Sequence, residues 1–127
     1  QSTGAEVPIN GFTALTTGTP YGDPWVISNA YDGSTSTSAS PAEGSSMKLT
    51  LPDPGIPCST SLTYFQRLSN TTDCWVKVNG VQQDISATPG NTVPLNLPSG
   101  GFLKTLEWNR VNSGYSIDMG SIICDGV

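Results

Sequence analysis

One dipeptide constrains the fold of this chain more than any other local feature. Asn79 and Gly80 separate "WVKV" from "VQQDI", two short runs rich in residues that favour strands. Both central residues of a two-residue type I′ turn take positive φ, and Asn-Gly is a pair that tolerates this well. Residues 75–85 are therefore predicted to form a β-hairpin.

Apolar and polar residues also alternate elsewhere in the chain. In "MKLTL", Met47, Leu49 and Leu51 share one face, which is the period of a half-buried strand. The "PDPGIP" that follows is predicted to be a loop, because its prolines cannot donate to a sheet.

A further strand is predicted in "SLTYFQRL", with Leu62, Tyr64 and Leu68 on one face. The same pattern continues in "TVPLNL", "LKTLEWNRV" and "YSIDMGSIICDG". Trp75 and Trp108 fall within predicted strands, so we assign both to the core or its immediate surroundings.

Composition agrees with a fold built from strands. The chain has 12% charged residues, 14 Gly and 10 Pro, and no helical period of useful length. Short strands without intervening helices predict an all-β fold, an antiparallel β-sandwich or jelly roll. We expect one β-sandwich domain over residues 1–127, in which residues 1–24 form an irregular N-terminal strand and loop around Phe12 and Leu15.

Charge excludes several classes of function. Five basic residues against ten acidic ones give a net charge of −5, which disfavours binding to nucleic acid or to anionic lipid. No stretch approaches the roughly 20 apolar residues that cross a bilayer. The chain has no His, so Ser-His and Cys-His nucleophiles are excluded, and most carboxylates fall in predicted turns. We therefore predict that the protein is not an enzyme.

The three cysteines, Cys58, Cys74 and Cys124, leave at least one thiol unpaired. Their spacing, without His, does not match a zinc site. Buried free thiols are the favoured prediction, since buried Cys behaves as a small apolar residue. A single disulfide is the alternative.

The segment "YGDPW" offers the groups that a ligand such as a sugar requires. A sugar packs its C–H face on an aromatic ring, and its hydroxyls need fixed polar partners. Tyr21, Asp23 and Trp25 supply both, and Tyr115 follows Gly114 in another loop. These four residues are the candidate ligand contacts. The alternative is that their rings cap the ends of the core.

The order of motifs in the chain carries a resemblance to a known family. "NAYDGSTST", "MKLTLPDPGIP", "VKVNG" and "SIICDG" occur in turn. Together they resemble the galactose-binding-like, discoidin-type jelly-roll module, over residues 25–127. The chain looks most like the modules of virion proteins of tailed phages, particularly marine phages and cyanophages, which open on "AFDG" and close on "EVDG".

The resemblance implies a calcium loop. Discoidin-type members often bind calcium through an Ala-x-Asp-Gly-x-x-x-Thr loop, which Asp32 and Thr37 match, together with a Glu near the C-terminus. Here Ser121 stands in the place of that Glu, and Asp118 or Asp125 could replace it only in a different register. Asp32 and Thr37 are therefore calcium candidates, and a structural Asx turn is the alternative.

The resemblance also implies a function. We expect a non-enzymatic virion module, either a capsid decoration (cement) protein or a head or tail fibre domain, with capsid proteins or further copies of itself as partners. The alternative is a secreted, extracellular carbohydrate-binding module or lectin-like adhesion domain that binds a cell-surface glycan. A generic oligomerisation domain of a larger protein is a third possibility.

Overall fold

The computed structural model of this protein describes residues 14–85 and 87–125. Phe12, placed by the sequence in the first strand, lies outside these residues. Ten strands are present in the described residues: β1 Leu15–Thr17, β2 Ser46–Thr50, β3 Ile56–Pro57, β4 Leu62–Gln66, β5 Val76–Val78, β6 Val81–Gln82, β7 Asn91–Pro94, β8 Phe102–Leu103, β9 Thr105–Asn109 and β10 Met119–Cys124. Three 3₁₀ turns accompany them, at Asp23–Trp25, Ile27–Tyr31 and Ser99–Gly101.

The strands form two main antiparallel sheets. One has five strands in the order β1-β2-β9-β5-β6, and the other has three in the order β10-β4-β7. The short strands β3 and β8 pair separately. Buried apolar side chains of both main sheets belong to one core cluster. The predicted all-β antiparallel sandwich is therefore confirmed.

The inner face of the five-stranded sheet supplies much of this core. Met47 and Leu49 alternate with half-buried residues along β2, as the sequence predicts. On β9, Leu106 and Trp108 are also fully buried, and the Trp108 indole N–H donates to the carbonyl of Ala39 at 3.1 Å. The large ring therefore reaches the core without leaving its polar nitrogen unsatisfied.

Two predictions about the neighbouring segments are wrong. The segment "PDPGIP" is not all loop, because Ile56 is buried and pairs with Leu103. Pro57 closes that short strand, where a missing N–H is tolerated. In β4, Leu62 and Tyr64 point inward as predicted, but Leu68 is 54% exposed. The strand ends at Gln66, whose buried side chain takes the third inward position.

The predicted hairpin is confirmed, with β5 and β6 paired in antiparallel register. Asn79 and Gly80 take φ values of 51° and 80°. The Asn79 side chain also holds the adjacent chain, since its Oδ1 accepts from the amides of Lys104 at 2.7 Å and Thr105 at 3.0 Å. Its Nδ2 donates to the carbonyl of Phe102 at 2.9 Å. The turn is thus tied to the start of β9.

The two tryptophans that the sequence assigned to the core differ in environment. Trp108 is fully buried, as predicted. Trp75 precedes β5 and is only half-buried, with the Lys77 ammonium 4.5 Å from the centre of its ring. Trp75 therefore takes the near-core alternative, and it lies just before the strand in which the sequence placed it.

The favoured prediction of free thiols is also wrong for two of the three cysteines. Cys58 and Cys124 form a disulfide, with their Cα atoms 5.4 Å apart. The backbone brings them together, because Cys124 faces Leu62 across the β10–β4 pair and the Cys58 amide donates to the carbonyl of Gly101. Cys74 is free and half-buried, and burial raises the pKa of its thiol.

The sandwich has two distinct ends. Ser46 pairs with Asn109 and Thr50 with Thr105, so the loops beyond these pairs lie at opposite ends of the sheet. We call the end that contains residues 19–25, 41–45 and 110–116 the Arg110 end. The end that contains residues 51–61, 79–80, 98–104 and 124–125 is the hairpin end. Within the described residues, no helix is long and apolar enough to cross a membrane.

Candidate binding surface at the Arg110 end

Tyr21 and Trp25, two of the predicted ligand contacts, lie side by side at the Arg110 end. Their ring centres are 5.5 Å apart in an edge-on arrangement. The loop that carries them is fixed on Ser40, whose carbonyl accepts from the Tyr21 amide and whose amide donates to the carbonyl of Trp25. Tyr21 is 40% exposed and Trp25 is half-buried, and Asp23 between them is exposed. The loop thus presents two aromatic side chains and an exposed carboxylate.

The side chain of Arg110 lies directly beneath Tyr21. Its guanidinium carbon is 3.8 Å from the centre of the Tyr21 ring, and the residue is only 3% exposed. Nε donates to the carbonyl of Pro41 at 2.7 Å, and Nη2 donates to the hydroxyl of Ser40 at 3.1 Å. A planar guanidinium suits this site, because it stacks on a ring while its edge donates hydrogen bonds.

The same guanidinium holds the loop that carries Tyr115. Its Nη1 donates to the carbonyls of Asn112 at 3.1 Å and Ser113 at 3.2 Å. The Asn112 side chain closes the loop by accepting from the amides of Gly114 and Tyr115. Tyr115 is 38% exposed. The structure therefore brings Tyr21 and Trp25 into contact, and it links the Tyr115 loop to them through Arg110.

A buried carboxylate lies below Arg110. Asp118 is 1% exposed, and its Oδ2 accepts from the amides of Ser69 at 2.7 Å and Leu68 at 3.2 Å. The hydroxyl of Ser40 donates to Oδ1 of Asp118 while it accepts from Arg110. A neutral hydroxyl thus connects the two buried charges, and each charge has the hydrogen-bond partners that burial requires.

Gln66 extends this buried network to the three-stranded sheet. Its Oε1 accepts from the Tyr64 hydroxyl at 3.0 Å and from the Asp118 amide at 3.2 Å. Its Nε2 donates to the carbonyls of Ser69 at 2.8 Å and Ser116 at 3.0 Å. Burial, and then the nearby Asp118 carboxylate, raise the pKa of Tyr64, so its hydroxyl stays protonated and acts as a donor.

Sequence reasoning missed the residues that position this surface. Leu106, Trp108 and Arg110 follow one another at every second position, so the strand period places Arg110 on the inner face. A basic residue at an inward position needs buried partners, and that was the available signal. Two of those partners, Ser40 and Pro41, come from a distant part of the chain.

The predicted calcium loop is closed by its own side chains. Asp32 accepts from the Ser34 amide at 2.9 Å through Oδ1 and from the Thr37 hydroxyl through Oδ2. The chain turns sharply at Gly33, where φ is 75°. These contacts are those of an Asx turn pinned by a threonine.

Calcium takes six to eight oxygen ligands, and this loop offers one carboxylate that is already bonded to the neighbouring hydroxyl. Asp118 lies in the buried network, and Asp125 accepts from the amides of residues 59–61. Ser121 lies in a β-bulge of β10. Among the described residues, no group of three or more Asp, Glu or Cys side chains could hold a metal ion. Calcium binding by Asp32 and Thr37 stays a prediction.

A groove of about 440 Å³ lies at the hairpin end, between the Asn79-Gly80 turn and the segment after β7. One of its polar side chains, Gln83, accepts from the Asn96 amide at 2.7 Å and donates to the carbonyl of Val81 at 3.1 Å. Val81 and Lys104 remain exposed along it. The groove is separate from the predicted ligand contacts.

Comparison of the chain with known protein families, with curated proteins and with solved structures gives no match. The family resemblance therefore rests on the motifs of the sequence alone. The Arg110 end presents aromatic rings and an exposed carboxylate on a backbone that hydrogen bonds hold in place.

Proposed function

We propose that the chain is a non-enzymatic structural module of a tailed-phage virion, either a capsid decoration (cement) protein or a domain of a head or tail fibre. It acts through surface contacts made by the Arg110 end. The observation that carries the proposal is the attachment of two aromatic loops to one buried guanidinium. The phage assignment itself comes from the order of motifs in the sequence.

The motifs behind the resemblance support this proposal through their contacts in the fold. Asp32 of "NAYDG" closes its own loop, and Asp125 of "ICDG" caps the amides of Ser59, Thr60 and Ser61. Both carboxylates are therefore used to hold loops closed. Motifs of this kind belong to a scaffold that presents a surface rather than to a centre of catalysis.

Two physical properties suit a module that clamps neighbouring capsid proteins. Loops ordered before contact lose less conformational entropy on binding, and Arg110 supplies that order here. A disulfide persists in oxidising surroundings, which include the surface of virions. The Cys58–Cys124 bond is therefore compatible with a location on the particle.

Particles assembled with and without this chain test the proposal. Mass spectrometry of purified particles is expected to find the chain in the copy number of a structural protein. Particles that lack it are expected to break at lower temperature or to attach to fewer cells. Trp25→Ala should weaken its incorporation, whereas Val81→Ala, which trims an exposed side chain at the hairpin end, should not. Full heat stability and full attachment without the chain would exclude this function.

A secreted carbohydrate-binding module is the second candidate, and the exposed Tyr21–Trp25 pair favours it. An aromatic face beside a carboxylate can pack against the C–H face of a sugar and accept from its hydroxyls. A glycan array measures this directly. An array without hits would exclude the candidate, and so would a Trp25→Ala variant that binds glycans as well as the parent.

A further inference from the structure

We propose that the Arg110 end binds a cationic segment of a partner protein, with an Arg or Lys side chain seated against Tyr21 and Trp25 and paired with Asp23. This inference rests on the proposed function, because it names the chemistry of the surface that would dock on the particle. It commits to a protein partner, and a neutral glycan is the competing occupant.

The distribution of charge is the first support. Arg110 is buried beneath Tyr21, so the charge that the aromatic loop offers to solvent is the carboxylate of Asp23. Three of the other cations lie elsewhere, Lys48 and Lys77 on strands of the five-stranded sheet and Lys104 at the hairpin groove. The fourth, Arg67, follows β4, and its amide donates to the carbonyl of Asp118. With a net charge of −5, the chain as a whole also attracts basic partners.

The aromatic geometry is the second support. One face of Tyr21 already holds a guanidinium at 3.8 Å, so this ring is positioned to stack on cations. The residue is nevertheless 40% exposed, so further ring surface is open to solvent. Trp25 meets the Tyr21 ring edge-on, so its own face stands at an angle of 66° to that of Tyr21. Two non-parallel rings in a loop that also carries an exposed carboxylate offer the groups on which an alkyl stem with a charged tip can pack.

A cationic partner gains an electrostatic attraction at this surface that a neutral sugar does not gain. Both ligands would pack on the rings and donate hydrogen bonds to Asp23, but only a cation brings a full opposite charge, which is also attracted by the net charge of the chain. The two occupants also differ in their response to salt. Binding of a cation weakens as salt is added, because salt screens exposed charges. Binding of a neutral sugar by packing on the rings is not weakened in this way.

The test uses the whole chain labelled with ¹⁵N and two short peptides, Gly-Arg-Gly-Arg-Gly and its counterpart with citrulline in place of arginine, both capped at their ends. The arginine peptide is expected to shift the NMR signals of residues 21–25. The citrulline peptide, which keeps the shape and removes the charge, should shift them much less. The affinity for the arginine peptide should fall as salt is raised.

Matched charge variants decide whether the site is specific. Asp23→Asn should lower the affinity for the arginine peptide by about three-fold, which is the scale of one exposed ion pair. Asp53→Asn removes an exposed carboxylate at the hairpin end and should leave the affinity unchanged. Trp25→Leu should also weaken binding while the fold is kept. Both Asp variants alter exposed positions, so they are expected to fold.

Three results would overturn the inference. Equal weakening by Asp23→Asn and Asp53→Asn would mean attraction by net charge alone. Shifts spread over the whole surface would mean the same. Lactose that shifts residues 21–25 independently of salt, while the arginine peptide does not, would assign the surface to a glycan. None of these results depends on particles, so a chain that passes this test but is absent from virions would refute the proposed function alone.

Discussion

The two ends of the sandwich are held by different kinds of interaction. At the hairpin end, a disulfide joins Cys58 to Cys124 and the next residue, Asp125, caps three backbone amides. At the Arg110 end, the loops are held by hydrogen bonds to buried side chains, chiefly those of Arg110 and Asp118. One end is fixed by a covalent bond and local caps, and the other by a network that spans distant parts of the chain.

This difference matters for function, because the candidate contacts lie at the end without the covalent link. A buried network of hydrogen bonds holds loops in one arrangement as long as every member has its partners, and removal of one member leaves others unsatisfied. The Arg110 end should therefore be ordered in the native protein, yet it should respond to single substitutions that the hairpin end would tolerate.

Removal of the disulfide is expected to have the largest effect on stability. The double variant Cys58→Ala with Cys124→Ala should lose about 4 kcal/mol of the free energy of unfolding, because the bond joins residues 66 positions apart and constrains the unfolded chain. Urea denaturation followed by circular dichroism measures the loss. Cys74→Ala, which alters the free thiol, is the control and should cost much less. Wild-type protein that unfolds at the same urea concentration with and without reductant would contradict this account.

Substitution of Arg110 tests the other end. Arg110→Met should lower the free energy of unfolding by about 3 kcal/mol, because the carbonyls of Pro41, Asn112 and Ser113 would be left without their charged donor. Hydrogen exchange should quicken at the Tyr21 and Val111 amides, which bond within the Arg110 end, and less at Asn79.

Arg110→Lys is the control for this substitution. Lysine keeps the charge but lacks the fork of donors, so the free energy of unfolding of this variant should lie between those of the wild type and Arg110→Met. Exchange that quickens equally at both ends in Arg110→Met would mean that the two ends are not held separately.

The contrast between the ends also explains what the sequence could and could not predict. Alternation identified β2, the start of β4 and the buried Trp108, and the Asn79-Gly80 turn was recognisable because its φ values demand those residue types. These are local properties of the chain. The period-2 pattern failed at Leu68, because the chain leaves the strand after Gln66 and turns its amides toward Asp118.

The failures share one physical cause. The disulfide depends on the register that sets Cys124 opposite Leu62, and this register contains a bulge that no local pattern reveals. Likewise, two of the four residues that accept from Arg110, Ser40 and Pro41, are about 70 positions away. Tyr21 and Trp25 are at least partly exposed at the surface. Their role as ligand contacts stays a prediction.

At the hairpin end, Asn79 offers a test of intermediate size. Asn79→Ala should lose about 2 kcal/mol, since it removes the acceptor for two amides, the donor to Phe102 and a residue type suited to a positive φ of 51°. Asn79→Asp keeps the acceptor and the turn preference, so it should lose about half as much. Urea denaturation compares the two. Equal losses would mean that neither the side-chain acceptor nor the turn preference contributes, and would assign the loss to the missing donor to Phe102.

The smallest expected effect is the acid sensitivity of Asp125. The backbone amides of Thr60 and Ser59, with that of Ser61, lower the pKa of its carboxyl from 3.8 to about 2. Between these values the unfolded chain binds the proton more readily than the folded one, so this contribution is complete above pH 3.8 and is lost as the pH falls through 2. Asp125→Asn should therefore lower the melting temperature at pH 6 and converge on the wild type near pH 2. A constant difference across that range would mean that the caps do not depend on the charge of Asp125.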